Sequence, residues 1–197
     1  MVQGTRERIL TAAGTLFRRQ GYAGTGLKEI ATASEARIGS IYHFFPDKEA
    51  LAEETIRADG AAYGAMVLAV LENGPDDPVR ALGAAFERAA DDLRSTGYAD
   101  ACPIATVALE VAGTNERLRR ATADTFTAWL DALAAWCGTF VASPADARDL
   151  ATAVLTSLEG AFILSRSLRD PGPLLAAGRS VTRLAETMRD DGGGAPS

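Results

Sequence analysis

Helix punctuation constrains this chain more than any other feature. Capping residues and breakers recur at intervals suited to helices, and no run of alternating Val, Ile or Thr reads as a strand. Gly21, Asn73-Gly74-Pro75, Asp77-Pro78, Gly113-Thr114-Asn115, Ser143-Pro144 and Asp170-Pro171-Gly172-Pro173 divide the sequence into about nine helical segments. These run at about 5–20, 27–33, 37–44, 48–72, 78–94, 104–112, 116–141, 144 to near 170, and from there to about 189. Ala, with Leu, Arg and Glu, supplies the matching propensity. An all-α fold follows.

The first segment carries Ile9, Ala13, Leu16 and Phe17 at helical spacing, and Gly21 ends it. The second turns Leu27, Ile30 and Ala31 inward, with Thr25 or Gly26 as its N-cap. In the third, Ile41 and Phe45 share one face while Arg37, Ser40 and His43 share another. Asp47 caps the long fourth helix. Two short helices joined by Ser34-Glu35-Ala36 have the form of a helix-turn-helix, whose second member enters the DNA major groove. A solvated polar face would give the same spacing.

Charge is distributed unevenly. Residues 1–48 hold seven Lys/Arg against four acids, a net of +3, so the remainder carries −9 within a total of −6. Polyanion binding therefore belongs to the first quarter of the chain. The longest mostly apolar stretch, residues 150–164, contains Glu159 and is too short to span a bilayer. MVQGTRERIL lacks the apolar stretch of a signal peptide, so the cytoplasm is the expected compartment. Cys102 and Cys137 form neither a disulfide framework nor a zinc site. One histidine and no grouped carboxylates or thiolates leave no catalytic constellation, and nothing calls for a cofactor or metal.

Gly21-Tyr22, Leu27-Lys28-Glu29-Ile30-Ala31, Gly39-Ser40-Ile41-Tyr42-His43-Phe44-Phe45 and Lys48-Glu49-Ala50-Leu51 resemble, in order and spacing, the N-terminal domain of the TetR family of bacterial transcriptional regulators. The resemblance covers roughly residues 5–55. It implies a DNA-binding domain over 1–47 and a ligand-binding and dimerisation domain over 48–190, while the terminal residues 191–197, which have nothing to bury, are expected to form a mobile tail. It further implies a homodimer, paired through its last two helices, on a palindromic double-stranded operator. A small hydrophobic or aromatic effector would release that DNA. By the same resemblance Tyr42 reaches a backbone phosphate and Thr25 either caps the second helix or touches one. His43 contacts DNA, Gly39 lets the backbone approach the duplex, and Lys48 meets a phosphate at a helix N-terminus.

Departures from the family pattern bear on the operator. Glu35 stands where relatives often have Gly, and Arg37 where Ser or Thr is usual, so the third helix loses a side-chain cap and gains a cation for phosphate or guanine. Phe44 replaces a frequent His. Ile38 replaces a polar or basic residue and either packs inward or touches a thymine methyl. Ser40 completes the DNA-facing set.

The seventh helix strings Phe126, Trp129, Leu130, Leu133, Trp136, Cys137 and Phe140 along one stripe, suited to a bundle core or to the wall of an effector pocket. Glu159 is the lone charge between Asp149 and Arg166, and must be paired, protonated or facing a polar cavity. Gly160 and Ala161 beside it suit a dimer seam. Cys102-Pro103-Ile104 with Ala108-Leu109-Glu110 resembles the LmrA/YxaF-type C-terminal domain. Phe86, Cys102, Ile104, Phe126, Trp129, Glu159 and Phe162 are the candidate effector contacts. Two alternatives stand beside ligand-controlled repression: a thiol sensor using Cys102, and a helical interaction bundle that has lost DNA binding.

Overall fold

A computed structural model describes residues 4–100 and 102–191, and among these it contains nine α-helices and no strand. They are α1 (Thr5–Gln20), α2 (Leu27–Ala33), α3 (Ile38–Phe44), α4 (Lys48–Glu72), α5 (Pro78–Ser95), α6 (Pro103–Val111), α7 (Glu116–Cys137), α8 (Pro144–Leu168) and α9 (Gly172–Asp191). The tail expected over 191–197 lies outside the described residues, apart from Asp191 at the end of α9.

The caps explain most of the boundaries. Asp47 accepts the Ala50 N–H at 2.6 Å, Asp77 the Val79 N–H at 2.8 Å and Ser143 the Asp146 N–H at 3.3 Å. Each satisfies a backbone donor that the first helical turn leaves without a partner. Cys102 caps α6 through its Sγ, 3.4 Å from the Ala105 N–H. One boundary differs from expectation. Helix α7 ends at Cys137 rather than near Val141, because Gly138 opens a turn in which Thr139 and Phe140 donate to carbonyls only three residues back. The Phe140 ring still meets Trp136 edge-on, with centroids 5.1 Å apart.

The helices group into two compact units. The first holds α1, α2, α3, α4 up to Tyr63, α6, and α7 up to Phe126. The start of α4 and all of α6 join the N-terminal helices in this unit. Helix α1 packs on α2, α3 and α6. Ile9, Phe17, Ile30, Ile41, Phe45 and Leu51 are fully or almost fully buried, each contributing about 1.5–3 kcal/mol by burial. A second tie joins α1 to α4: Gly14 leaves room for the Asp59 carboxylate, whose pKa burial raises and the Arg18 charge opposes.

The second unit holds α4 from Gly64, α5, α7 from Thr127, α8 and α9. Helix α9 packs on both α5 and α8. Gly178 brings α9 close to α5, where an added Cβ would lie 2.7 Å from the Phe86 Cβ. Gly64 similarly accepts the Trp129 indole, whose Nε1 would be 2.6 Å from such a Cβ.

Candidate nucleic-acid interface

Helix α3 is short, so its orientation comes from its flanks. Ile41 and Phe45, fully buried, anchor one side. At the other end, α2 closes in a Schellman motif: the Ala36 N–H reaches the Ala31 carbonyl at 2.9 Å and the Glu35 N–H the Thr32 carbonyl at 3.1 Å. That geometry requires a left-handed residue, and Glu35 supplies it with φ +52°. Arg8 reinforces the turn, donating from Nε to the Ser34 carbonyl at 3.2 Å. Arg37 occupies the N-cap of α3 without a side-chain cap bond, as its chemistry requires.

These supports leave one face of α3 outward. Tyr42 is 56% exposed and Ile38 is 40% exposed, so Ile38 does not pack inward. Arg37, Gly39 and His43 are also exposed, while Ser40 is half-buried. A Cβ at Gly39 would meet nothing within 4 Å, so a flat surface could approach the helix backbone there. Phe44 serves both sides: 37% exposed, it sets its ring edge-on to His43 at 5.0 Å and tilts against Phe45 at 6.3 Å.

Two expected contacts have hydrogen-bond partners within the chain. The N-cap of α2 is Gly26, so Thr25 does not cap it. Thr25 is 1% exposed and donates its hydroxyl to the Gly21 carbonyl at 2.7 Å, holding the α1–α2 loop. Lys48 stands at the start of α4 but is half-buried, with Nζ donating 2.6 Å to the Tyr22 carbonyl and lying 4.2 Å from the Tyr22 ring centroid. Burial lowers its pKa, and the charge of Glu110 opposes that shift.

Glu110, Tyr22 and Arg8 are residues of the site to which the sequence assigns no role there. Their partners lie 26 to 87 positions away, and no local pattern announces such pairs. Further along α4, Glu53 receives Arg117 at 2.6 Å, Arg57 meets Asp124 at 3.1 Å, and Asn115 donates to Glu49 at 2.8 Å. These pairs pin the start of α7 to the start of α4. They also line a cleft of about 520 Å³ walled by Glu53, Arg57, Glu116, Arg117, Arg120 and Asp124, whose charges suit no apolar guest.

The candidate effector contacts fall in both units. Cys102, Ile104 and Phe126 belong to the first; Phe86, Trp129, Glu159 and Phe162 belong to the second. All are buried except Phe126 and Glu159, which are half-buried. Phe86 against Gly178 and Trp129 against Gly64 have the close packing of core residues. Both cysteines are buried thiols. Burial pushes the Cys137 pKa up to about 12, leaving it a poor nucleophile, and Cys102 uses its sulfur to cap α6. Among the described residues no group of His, Cys, Asp and Glu could hold a metal ion, and no helix is long and apolar enough to cross a membrane.

Comparison with known proteins agrees with this geometry. Residues 9–55 match the family model described as bacterial regulatory proteins, tetR family, and residues 78–180 match the C-terminal domain of LmrA/YxaF-like transcriptional regulators. The chain is 32% identical to the HTH-type transcriptional regulator YxaF of Bacillus subtilis, over 91% of this chain and 94% of that protein. It is 31% identical to the HTH-type transcriptional regulator LmrA of the same organism, over 87% and 91% of the respective chains. A TetR transcriptional regulator from Legionella pneumophila shares the fold with a TM-score of 0.81, at 21% identity over 92% of this chain and 97% of that one. The helix-turn-helix, the outward face of α3 and these two domain matches together make the chain a member of the TetR family of bacterial transcriptional regulators, with a C-terminal domain of the LmrA/YxaF-like type.

Proposed function

We propose that this regulator is a cytoplasmic homodimeric repressor that binds a palindromic operator through α3 and leaves it when a small hydrophobic or aromatic effector binds the C-terminal part of each chain. The observation that carries the DNA reading is the outward face of α3, with Arg37, Ile38, Gly39, Tyr42 and His43 presented on a helix whose other face is locked by Ile41 and Phe45. Arg37 and His43 offer donors for guanine or phosphate, and Ile38 an apolar surface for a thymine methyl. Tyr42 suits a phosphate, and Lys48 keeps ammonium hydrogens beyond the one given to Tyr22. Ser40, half-buried, is left a marginal contact, and Thr25 supports the loop rather than the DNA.

Dimerisation is supported by α8. Gly160 is exposed with open space above it, and Ile163, Leu164 and Leu168 follow at helical spacing, all exposed. Leu184 of α9 is exposed as well. Such an apolar stripe on two long helices suits a second copy of the chain. Two α3 helices then sit about 34 Å apart, one DNA turn. An effector favouring another separation shifts the population off DNA.

The test is a gel-shift or anisotropy titration on the DNA upstream of its own gene. His43→Ala combined with Lys48→Ala is expected to weaken binding at least tenfold. Unchanged binding refutes the assignment of these residues. A thermal-shift screen of hydrophobic drugs and metabolites should yield ligands that also release the DNA.

A further inference from the structure

The α1–α2 loop carries one peptide group held from both ends by opposite charges. The carbonyl of Tyr22 accepts from Lys48 Nζ of α4 at 2.6 Å. The N–H of the same peptide, belonging to Ala23, donates to Glu110 Oε2 of α6 at 2.7 Å. In a trans peptide these two groups point in opposite directions, so an ammonium and a carboxylate grip one rigid plane from either side. Charged partners make both bonds stronger than neutral ones, and each polarises the peptide toward the other.

The rest of the loop is shaped to admit this carboxylate. Helix α1 ends at Gly21 with φ +81°, where a Cβ would collide with Glu110 Oε1, so only glycine both turns the chain and leaves the space. The Gly21 N–H returns to the Phe17 carbonyl at 2.9 Å and the Gly21 carbonyl takes the Thr25 hydroxyl at 2.7 Å, while the Tyr22 carbonyl also accepts the Thr25 N–H at 3.3 Å, a longer bond than either charged partner makes to the 22–23 peptide. The Tyr22 ring lies 5.8 Å from Phe17 and 4.2 Å from the Lys48 nitrogen, so the ring steadies the ammonium from a second direction.

We propose that Glu110 is a positioning residue for operator binding: from α6 it fixes the Tyr22–Ala23 peptide and, through it, the ammonium that Lys48 presents to a phosphate. The inference rests on the phosphate role given to Lys48 above. It adds a route from the LmrA/YxaF-like part of the chain, to which Glu110 belongs, into the DNA grip. A shift of α6 that withdraws the carboxylate releases the peptide and with it the lysine.

The experiment is a salt titration of the full-length protein on a fluorescein-labelled duplex of its own upstream region, with wild type, Glu110→Ala, Glu110→Gln, Lys48→Ala and the Glu110→Ala/Lys48→Ala double variant. Each phosphate contact contributes about 0.9 to the slope of log K against log salt, so a dimer losing both lysine contacts loses about 1.8. Lys48→Ala is expected to show that loss. Glu110→Ala is expected to weaken binding about tenfold and flatten the slope by about one, with no added effect in the Lys48→Ala background. Glu110→Gln, which keeps an acceptor for Ala23, should recover most of the affinity. If Glu110→Ala binds with wild-type affinity and slope while Lys48→Ala does not, the Glu110 role is overturned and the lysine role stands. Equal losses from Glu110→Ala in both backgrounds overturn it too. An unchanged slope in Lys48→Ala overturns the phosphate role itself, and the Glu110 route with it. Should Glu110→Ala misfold by circular dichroism, Glu110→Asp, one methylene too short to hold the Ala23 N–H in place, decides the matter: a slope change absent from its Lys48→Ala combination supports the coupling, and an unchanged slope overturns it.

Discussion

Replacing Glu35 with glycine separates two costs that one residue imposes. Its backbone is held at φ +52° by the Schellman bonds from Ala36 and Glu35 to the last turn of α2. A left-handed conformation costs an L-residue about 1–2 kcal/mol. Glycine removes that cost but returns about 0.4–1 kcal/mol through its freer unfolded chain. The net gain is about 0.5–1 kcal/mol, which for a chain of this length raises Tm by about 1–4 °C. The second cost is charge. At ~8 Å in water a carboxylate repels a phosphate by about 0.5 kcal/mol, and screening at physiological salt reduces it. With one copy per protomer, losing the charge should tighten operator binding about two- to fourfold at low salt. Glu35→Gln keeps the β-carbon and loses the charge, so it should tighten binding without raising Tm. Arg169→Gly is a control, because Arg169 ends α8 with φ +51° and is remote in sequence from α3. It should raise Tm and leave DNA binding unchanged. Differential scanning calorimetry at fixed protein concentration and anisotropy at two salt concentrations read both effects. Equal Tm gains from Glu35→Gln and Glu35→Gly would refute the strain argument, and unchanged affinity in both would refute the charge argument.

Other perturbations probe the second unit and the ion pairs. Ile163→Asp with Leu164→Asp should give a folded monomer by sedimentation equilibrium and weaken operator binding more than a hundredfold, since both residues are already exposed. Gly178→Ala forces a Cβ against Phe86 and should cost about 1–3 kcal/mol, read as a fall in the urea midpoint. Hydrogen bonds from Arg119 and then Arg120 lower the Glu116 pKa from the ordinary 4.5 to about 2, and Arg117 lowers that of Glu53. A depressed carboxylate pKa contributes stability above its ordinary value that fades as pH falls through the folded one. Acid titration of Tm between about pH 4.5 and 2 should therefore be flatter in Glu116→Gln than in the wild type.

The helix boundaries are legible in the sequence because capping is local. Asp47, Asp77 and Ser143 bond to donors two or three residues on, so the residue types and their spacing carry the information. The same locality separates Ile41 and Phe45 from Tyr42 and His43. Thr25 could not be placed from sequence, because whether its hydroxyl turns forward to α2 or back to Gly21 depends on the loop path. The end of α7 at Cys137 is hidden because apolar spacing continues to Phe140 while Gly138 opens the turn. The pairing of Glu110 with Ala23 spans 87 residues, and Gly64 meets Trp129 from another helix. Such contacts exist only after the helices pack. Glu35 lies between these cases: its departure from the family pattern is visible in the sequence, but its left-handed backbone required the structure.

Selection of duplexes from a random DNA library by the purified full-length protein tests operator reading by α3 most directly. The expected result is enrichment of one palindrome whose half-site centres lie about 10 base pairs apart, with the enriched half-site changed or lost in Arg37→Ala and His43→Ala. Enrichment of the same sequence by these variants, or no enrichment by the wild type, would contradict it.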